Sequence, residues 1–82
     1  MTWIKISVTL KADGSKVITY VSRENPRLRI ESQKEQMPHA NGVGFWWFTS
    51  FSVLLDGKTV KTRHTLKEAK EYAESLDLEV DL

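Results

Sequence analysis

The stretch Phe45-Trp46-Trp47-Phe48-Thr49-Ser50-Phe51-Ser52-Val53-Leu54-Leu55-Asp56-Gly57 decides the fold class of this chain. Eleven residues rich in aromatic and β-branched side chains, without Gly or Pro, predict a β-strand. Asp56-Gly57 then supplies the two positive-φ positions of a tight hairpin. Successive strand side chains point to opposite faces. Phe45, Trp47, Thr49, Phe51, Val53 and Leu55 therefore share one face, and Trp46, Phe48, Ser50, Ser52 and Leu54 the other. The odd-numbered face is the more continuously apolar and is assigned to the core. The return strand, Lys58 to Arg63, would set Val60 opposite Val53 and Thr62 opposite Phe51.

Further strands precede this hairpin. Ile4, Ile6, Val8 and Leu10 alternate with Lys5, Ser7, Thr9 and Lys11, a period of two. Ala12-Asp13-Gly14-Ser15 is a turn, and Lys16 to Arg23 a second strand, with Val17, Thr19 and Val21 on one face and Ile18 and Tyr20 on the other. Pro26 ends it. A third strand runs from Arg27 to about Lys34, with Leu28 and Ile30 on one face and Arg27, Arg29 and Glu31 on the other. Met37 to Gly44 holds a proline, an asparagine and two glycines, and reads as the longest and most mobile loop.

Beyond the hairpin, Thr65 and Glu68 form a capping box at the start of a helix reaching about Leu76. Leu66, Ala69, Ala73 and Leu76 fall on one side of it, with Tyr72 at the border. Leu78, Val80 and Leu82 alternate with Glu79 and Asp81, which suggests a last short strand. The reading is one α+β domain over residues 1–82: a small, mostly antiparallel sheet of about five or six strands, with one helix in the C-terminal half packed on one face. The expected core is Ile4, Ile6, Val8, Phe51, Val53, Leu66, Ala69 and Ala73.

Composition narrows the function classes. A chain of 82 residues with no cysteine has neither a disulfide nor a thiolate metal site to reinforce a thin core. No apolar run approaches the ~18 residues of a membrane span, and the N-terminus alternates instead of forming a leader-like apolar block, so a cytoplasmic protein is expected. No phosphate loop, nucleophile elbow or zinc-binding helix motif occurs. His39 and His64 stand apart from any second ligand type, while Asp56 and Glu68 have a turn and a cap to explain them. The expectation is a binding module, not an enzyme, with no cofactor and no metal.

Two surfaces compete for a partner. Four consecutive aromatics cannot all face one core, so either the sheet is covered on both faces or Trp46 and Phe48 form an exposed patch that binds a protein or a second copy of the chain. Trp46, Phe48 and Tyr20 are the candidate partner-binding residues. The alternative surface is basic: Lys58, Lys61, Arg63, Arg27 and Arg29, with Lys5, lining a sheet face against nucleic-acid phosphates. Residues 1–38 carry seven Lys/Arg against four Asp/Glu, and residues 39–82 five against seven, for a net charge of +1. A sequence pI of about 8.0 falls short of the value above about 9 typical of dedicated nucleic-acid binders.

From Phe48 to Leu76, the strand, the Asp56-Gly57-Lys58 hairpin and the following Thr65-Leu66-Lys67-Glu68-Ala69 resemble the sheet-and-helix ending of mobile-element integrase arm-binding domains and AP2-type domains. Small phage proteins share the Gly-Lys … Thr-x-x-Glu-Ala ending. The match covers about a third of the chain. The resemblance implies a three-stranded sheet entering the major groove, with Lys58, Lys61 and Arg63 on DNA. This chain departs from that pattern in its near-neutral charge and its extra N-terminal strands. A small cysteine-free domain of this kind also resembles phage and mobile-element accessory proteins, including inhibitors of host enzymes or defence complexes. The expected function is protein binding of that type through an aromatic and basic sheet surface, with sheet-mediated DNA binding as the alternative.

Overall fold

The computed structural model describes residues 1–80. Five strands, β1 (Trp3–Leu10), β2 (Lys16–Ser22), β3 (Leu28–Pro38), β4 (Phe45–Leu55) and β5 (Lys58–Arg63), precede one helix, α1 (Leu66–Val80). The strands form one antiparallel sheet in sequence order, β1-β2-β3-β4-β5, so every connection is a hairpin. Asp56 and Gly57 take φ of +53° and +83°, the left-handed pair that a two-residue hairpin demands.

The helix lies over β3, β4 and β5, and β1 and β2 reach its edge only through Trp3 and Tyr20. Leu28, Ile30, Val53, Ala69 and Ala73 are the fully buried apolar residues among those described, with Trp3, Tyr20, Phe51, Leu66 and Tyr72 packed around the cluster. Two alanines at the contact let the helix approach the sheet closely, since neither holds it off with a long side chain. Thr65 Oγ1 accepts the Glu68 backbone N–H at 3.2 Å, which is half of the expected capping box. Arg27 clamps the base of the sheet: its Nε and Nη2 donate to the two carboxylate oxygens of Asp56 at 2.8 and 2.7 Å, tying the β2–β3 turn to the β4–β5 turn.

Three expectations are corrected. First, Ile4, Ile6 and Val8 are not in the core but 42%, 49% and 50% exposed. A bulge between Lys5 and Ser7 shifts the pairing with β2, so Ile4 pairs with Val21 while Val8 pairs with Ile18, on opposite faces. One extra residue reverses every side chain beyond it. The places expected for them are taken by Leu28 and Ile30. Second, β5 is bulged too: Val53 pairs with Lys61 and Phe51 with Arg63, not with Val60 and Thr62. Third, among the described residues no strand follows Leu76. The helix continues to Val80, because no Gly or Pro interrupts Ser75-Leu76-Asp77-Leu78. Asp81 and Leu82, the end of that expected strand, lie outside the described residues.

The remaining difference concerns length. β3 does not fade at Lys34 but runs to Pro38, and only His39–Gly44 connects it to β4. The β3–β4 ladder extends unbroken from Leu28↔Leu55 to Pro38↔Phe45. β2 reaches only as far as Lys34, and β5 only as far as Phe51. From Glu35 to Phe48 the two strands therefore leave their neighbours and form a two-stranded arm. The molecule is correspondingly elongated, 51 × 22 × 19 Å, with a radius of gyration of 14.4 Å, against about 12 Å for a compact chain of this length.

Candidate protein-binding surface

The arm is built by the aromatic block. Glu35 pairs with Phe48, Gln36 with Trp47, Met37 with Trp46 and Pro38 with Phe45. Its tip is held by Gly42 N–H donating to the His39 carbonyl at 2.9 Å and Val43 N–H to the Asn41 side-chain oxygen at 3.0 Å. Paired residues share a face of an antiparallel ladder. Trp46, Phe48, Glu35 and Met37 therefore lie on the face away from the helix. Phe45, Trp47 and Gln36 lie on the other.

Neither side of the arm is covered. Phe45 is 64% exposed, Trp47 45% and Trp46 41%, while Phe48 is half-buried. Of the pair expected to form an exposed patch, Trp46 is exposed and Phe48 half-buried, whereas Phe45 and Trp47, assigned with the odd-numbered face to the core, are exposed because the arm runs past the helix. On the helix side, Trp47 has internal contacts: Lys34 Nζ stands 5.0 Å from its ring centroid, and a methyl group placed on Gly14 would come within 3.0 Å of the ring. On the open side, Trp46 and Phe48 form an edge-to-face pair, with centroids 5.6 Å apart and planes at 84°. Phe48 in turn meets the ring of His64 at 5.9 Å and 76°. A ladder of three rings thus runs across the open face from the arm to the end of β5.

The structure divides the candidate residues. Trp46 and Phe48 are brought together. Tyr20 pairs with Ile30 and packs against the core, so it lies on the opposite face and does not join them. Glu35, Met37 and His64 join the aromatic surface without having been singled out for it. Glu35 and Met37 read as a fading strand and a loop, and only the extended ladder places them opposite Phe48 and Trp46.

The basic candidates do not form one surface. Lys58, Lys61 and Arg63 pair with Leu55, Val53 and Phe51, which puts all three on the helix side, and the Arg63 guanidinium lies 5.6 Å from the Tyr72 ring. Lys5, opposite Tyr20, is on that side too but on β1, at the far edge. Arg29 pairs with Leu54 on the open face, and Arg27 is engaged with Asp56. Around Arg27 and Arg29 the open face has a shallow cleft of about 670 Å³, whose lining also includes Glu31, Asp56, Thr19 and Leu54. Its two arginines are matched by two carboxylates, so it presents no concentrated charge.

Hydrogen bonds stabilise three exposed carboxylates in ionised form. The Arg27 guanidinium holds the Asp56 carboxyl below its ordinary value, the Ser15 backbone N–H does the same for Asp13, and the Thr2 backbone N–H for Glu24. Each serves a turn or a strand end. Among the described residues no group of three or more His, Asp or Glu side chains is placed to hold a metal ion, and no helix is long and apolar enough to cross a membrane. No family model, no curated protein and no solved structure matches the chain.

Proposed function

We propose that this chain is a non-catalytic protein-binding module that engages its partner with the β3–β4 arm, chiefly through the open side carrying Trp46 and Phe48. One observation carries the reading: the arm leaves the sheet, and Phe45, Trp46 and Trp47 stay in solvent. A two-stranded ribbon is marginally stable by itself. Aromatic side chains held out on such a ribbon lose solvent contact only when something docks on them, and Trp and Tyr are among the commonest energetic anchors of interfaces. The phage-type inhibitor of a host enzyme or defence complex is the biological form of this proposal suggested by resemblance. The division of the cations between two faces favours a protein partner over a nucleic acid.

The test is affinity capture with the intact chain and with Trp46→Ser, each with and without nuclease, alongside a thermal melt of both. The expected result is a protein retained by the wild type after nuclease and lost from Trp46→Ser, whose melt is unchanged. Retention by Trp46→Ser, or release by nuclease, overturns the proposal. Sedimentation of the same pair shows whether the captured protein is a second copy.

A further inference from the structure

We propose that the corner between Trp46 and Phe48, with Glu35 beside it, receives a lysine or arginine side chain of the protein partner. The inference rests on the arm being the binding surface and names the chemistry that the surface recognises. Two rings at 84° with centroids 5.6 Å apart present π-faces in nearly perpendicular planes. The negative faces of aromatic rings attract ammonium and guanidinium groups, and rings set at an angle can contact one cation from two sides.

Charge points the same way. Glu35 is directly across from Phe48 in the ladder and diagonal to Trp46, so its side chain leaves the backbone on the same face, within reach of both rings. It is exposed, and the only ion pairs formed among the described residues are those of Asp56 and Glu74. The corner thus joins two ring faces to a carboxylate lacking a salt bridge. Met37, opposite Trp46, adds a flexible apolar wall suited to the methylenes of a long side chain.

Cations already lie over two other aromatic rings of the molecule. On the other side of the same arm, Lys34 lies over Trp47 at 5.0 Å, and at the helix Arg63 lies over Tyr72 at 5.6 Å. Among the described residues no Lys or Arg lies over Trp46 or Phe48, and only the His64 ring meets Phe48, edge to face. A basic partner supplies what Lys34 supplies one face away. A nucleic acid does not fit this corner, because its phosphates would meet Glu35.

The experiment follows the three tryptophan indole N–H signals by ¹H–¹⁵N NMR, assigned with Trp46→Phe, during titration with pentalysine and with its fully acetylated, neutral counterpart. The expected result is a saturable shift of the Trp46 signal with pentalysine, none with the acetylated peptide, and affinity about fivefold weaker in Glu35→Gln. The Trp3 signal, from the core, should stay in place and reports an intact fold. An unmoved Trp46 signal, an equal response to the neutral peptide, or an unchanged affinity in Glu35→Gln overturns the inference. Should the capture experiment still depend on Trp46 in that case, the arm remains the binding surface and only its preference for a cation is lost.

Discussion

At the scale of single residues, burial separates side chains that look alike in the sequence. Ile30 and Ile6 both alternate with polar neighbours, yet Ile30 is fully buried beneath the helix and Ile6 half in solvent at a bulge. Ile30→Ala should therefore cost about 2–5 kcal/mol, as core truncations do, while Ile6→Ser should stay within about 0.5 kcal/mol. Urea denaturation of the two variants checks this, and equal losses would mean that β1 belongs to the core after all. The depressed carboxyl groups of Asp13, Glu24 and Asp56 give a pH dependence of known sign. A group whose folded pKa lies below its unfolded value, 3.8 for Asp or 4.5 for Glu, stabilises fully above that value. The contribution is lost as pH falls through the folded value. Denaturation midpoints should thus fall from about pH 4.5 downward, and Asp56→Asn should make the fall shallower.

At the scale of elements, the helix and the arm are stabilised in different ways. The helix has a cap and a buried face. Thr65→Ala leaves the Glu68 N–H without its partner and should cost about 1 kcal/mol, readable as a lower thermal midpoint. The arm has a continuous ladder but no strand on either flank. Its outer amides, Gln36 and Met37 on β3 and Trp46 and Trp47 on β4, should exchange with solvent at least about tenfold faster than those at Ile30 and Val53. Hydrogen exchange measured by NMR tests this, and uniform protection along β4 would indicate that the arm is covered in solution.

At the scale of the whole molecule, the distribution of charge decides between partner classes. Were Lys58, Lys61 and Arg63 to touch phosphates, about three contacts would give a log–log salt slope near −2.7. These residues stand on the helix side, with Arg63 already over Tyr72, and on that helix Lys67 and Lys70 are outnumbered by Glu68, Glu71, Glu74, Asp77 and Glu79. Attraction of a polyanion should be weak there. Titration of random-sequence duplex DNA should show no sub-micromolar binding at physiological salt. Tight binding that Lys61→Glu abolishes would instead establish the nucleic-acid reading.

The local chemistry of the chain determined a good part of this architecture by itself. Asp56-Gly57 can hardly be anything but a tight turn, because both positions need positive φ. The spacing of Leu66, Ala69, Tyr72, Ala73 and Leu76 admits a helix with one apolar side. The alternation of Phe45–Leu55 separates Trp46 and Phe48 from Val53 and Phe51 without reference to any neighbour. These features depend on dihedral preference and periodicity, which are properties of adjacent residues. Register is different. The bulges at Lys5–Ser7 and at Val53–Leu54 change which side chains meet the helix, and nothing in the residues at either place announces them. The same holds for the length of β3, where Glu35-Gln36-Met37-Pro38 has little strand character and becomes strand because an aromatic partner lies across from it. Strand pairing is a long-range contact, and its energy resides in the partner strand. For that reason the corner formed by Trp46, Phe48 and Glu35 exists only in the folded chain, whereas the pair of aromatics at its centre was legible from their order alone.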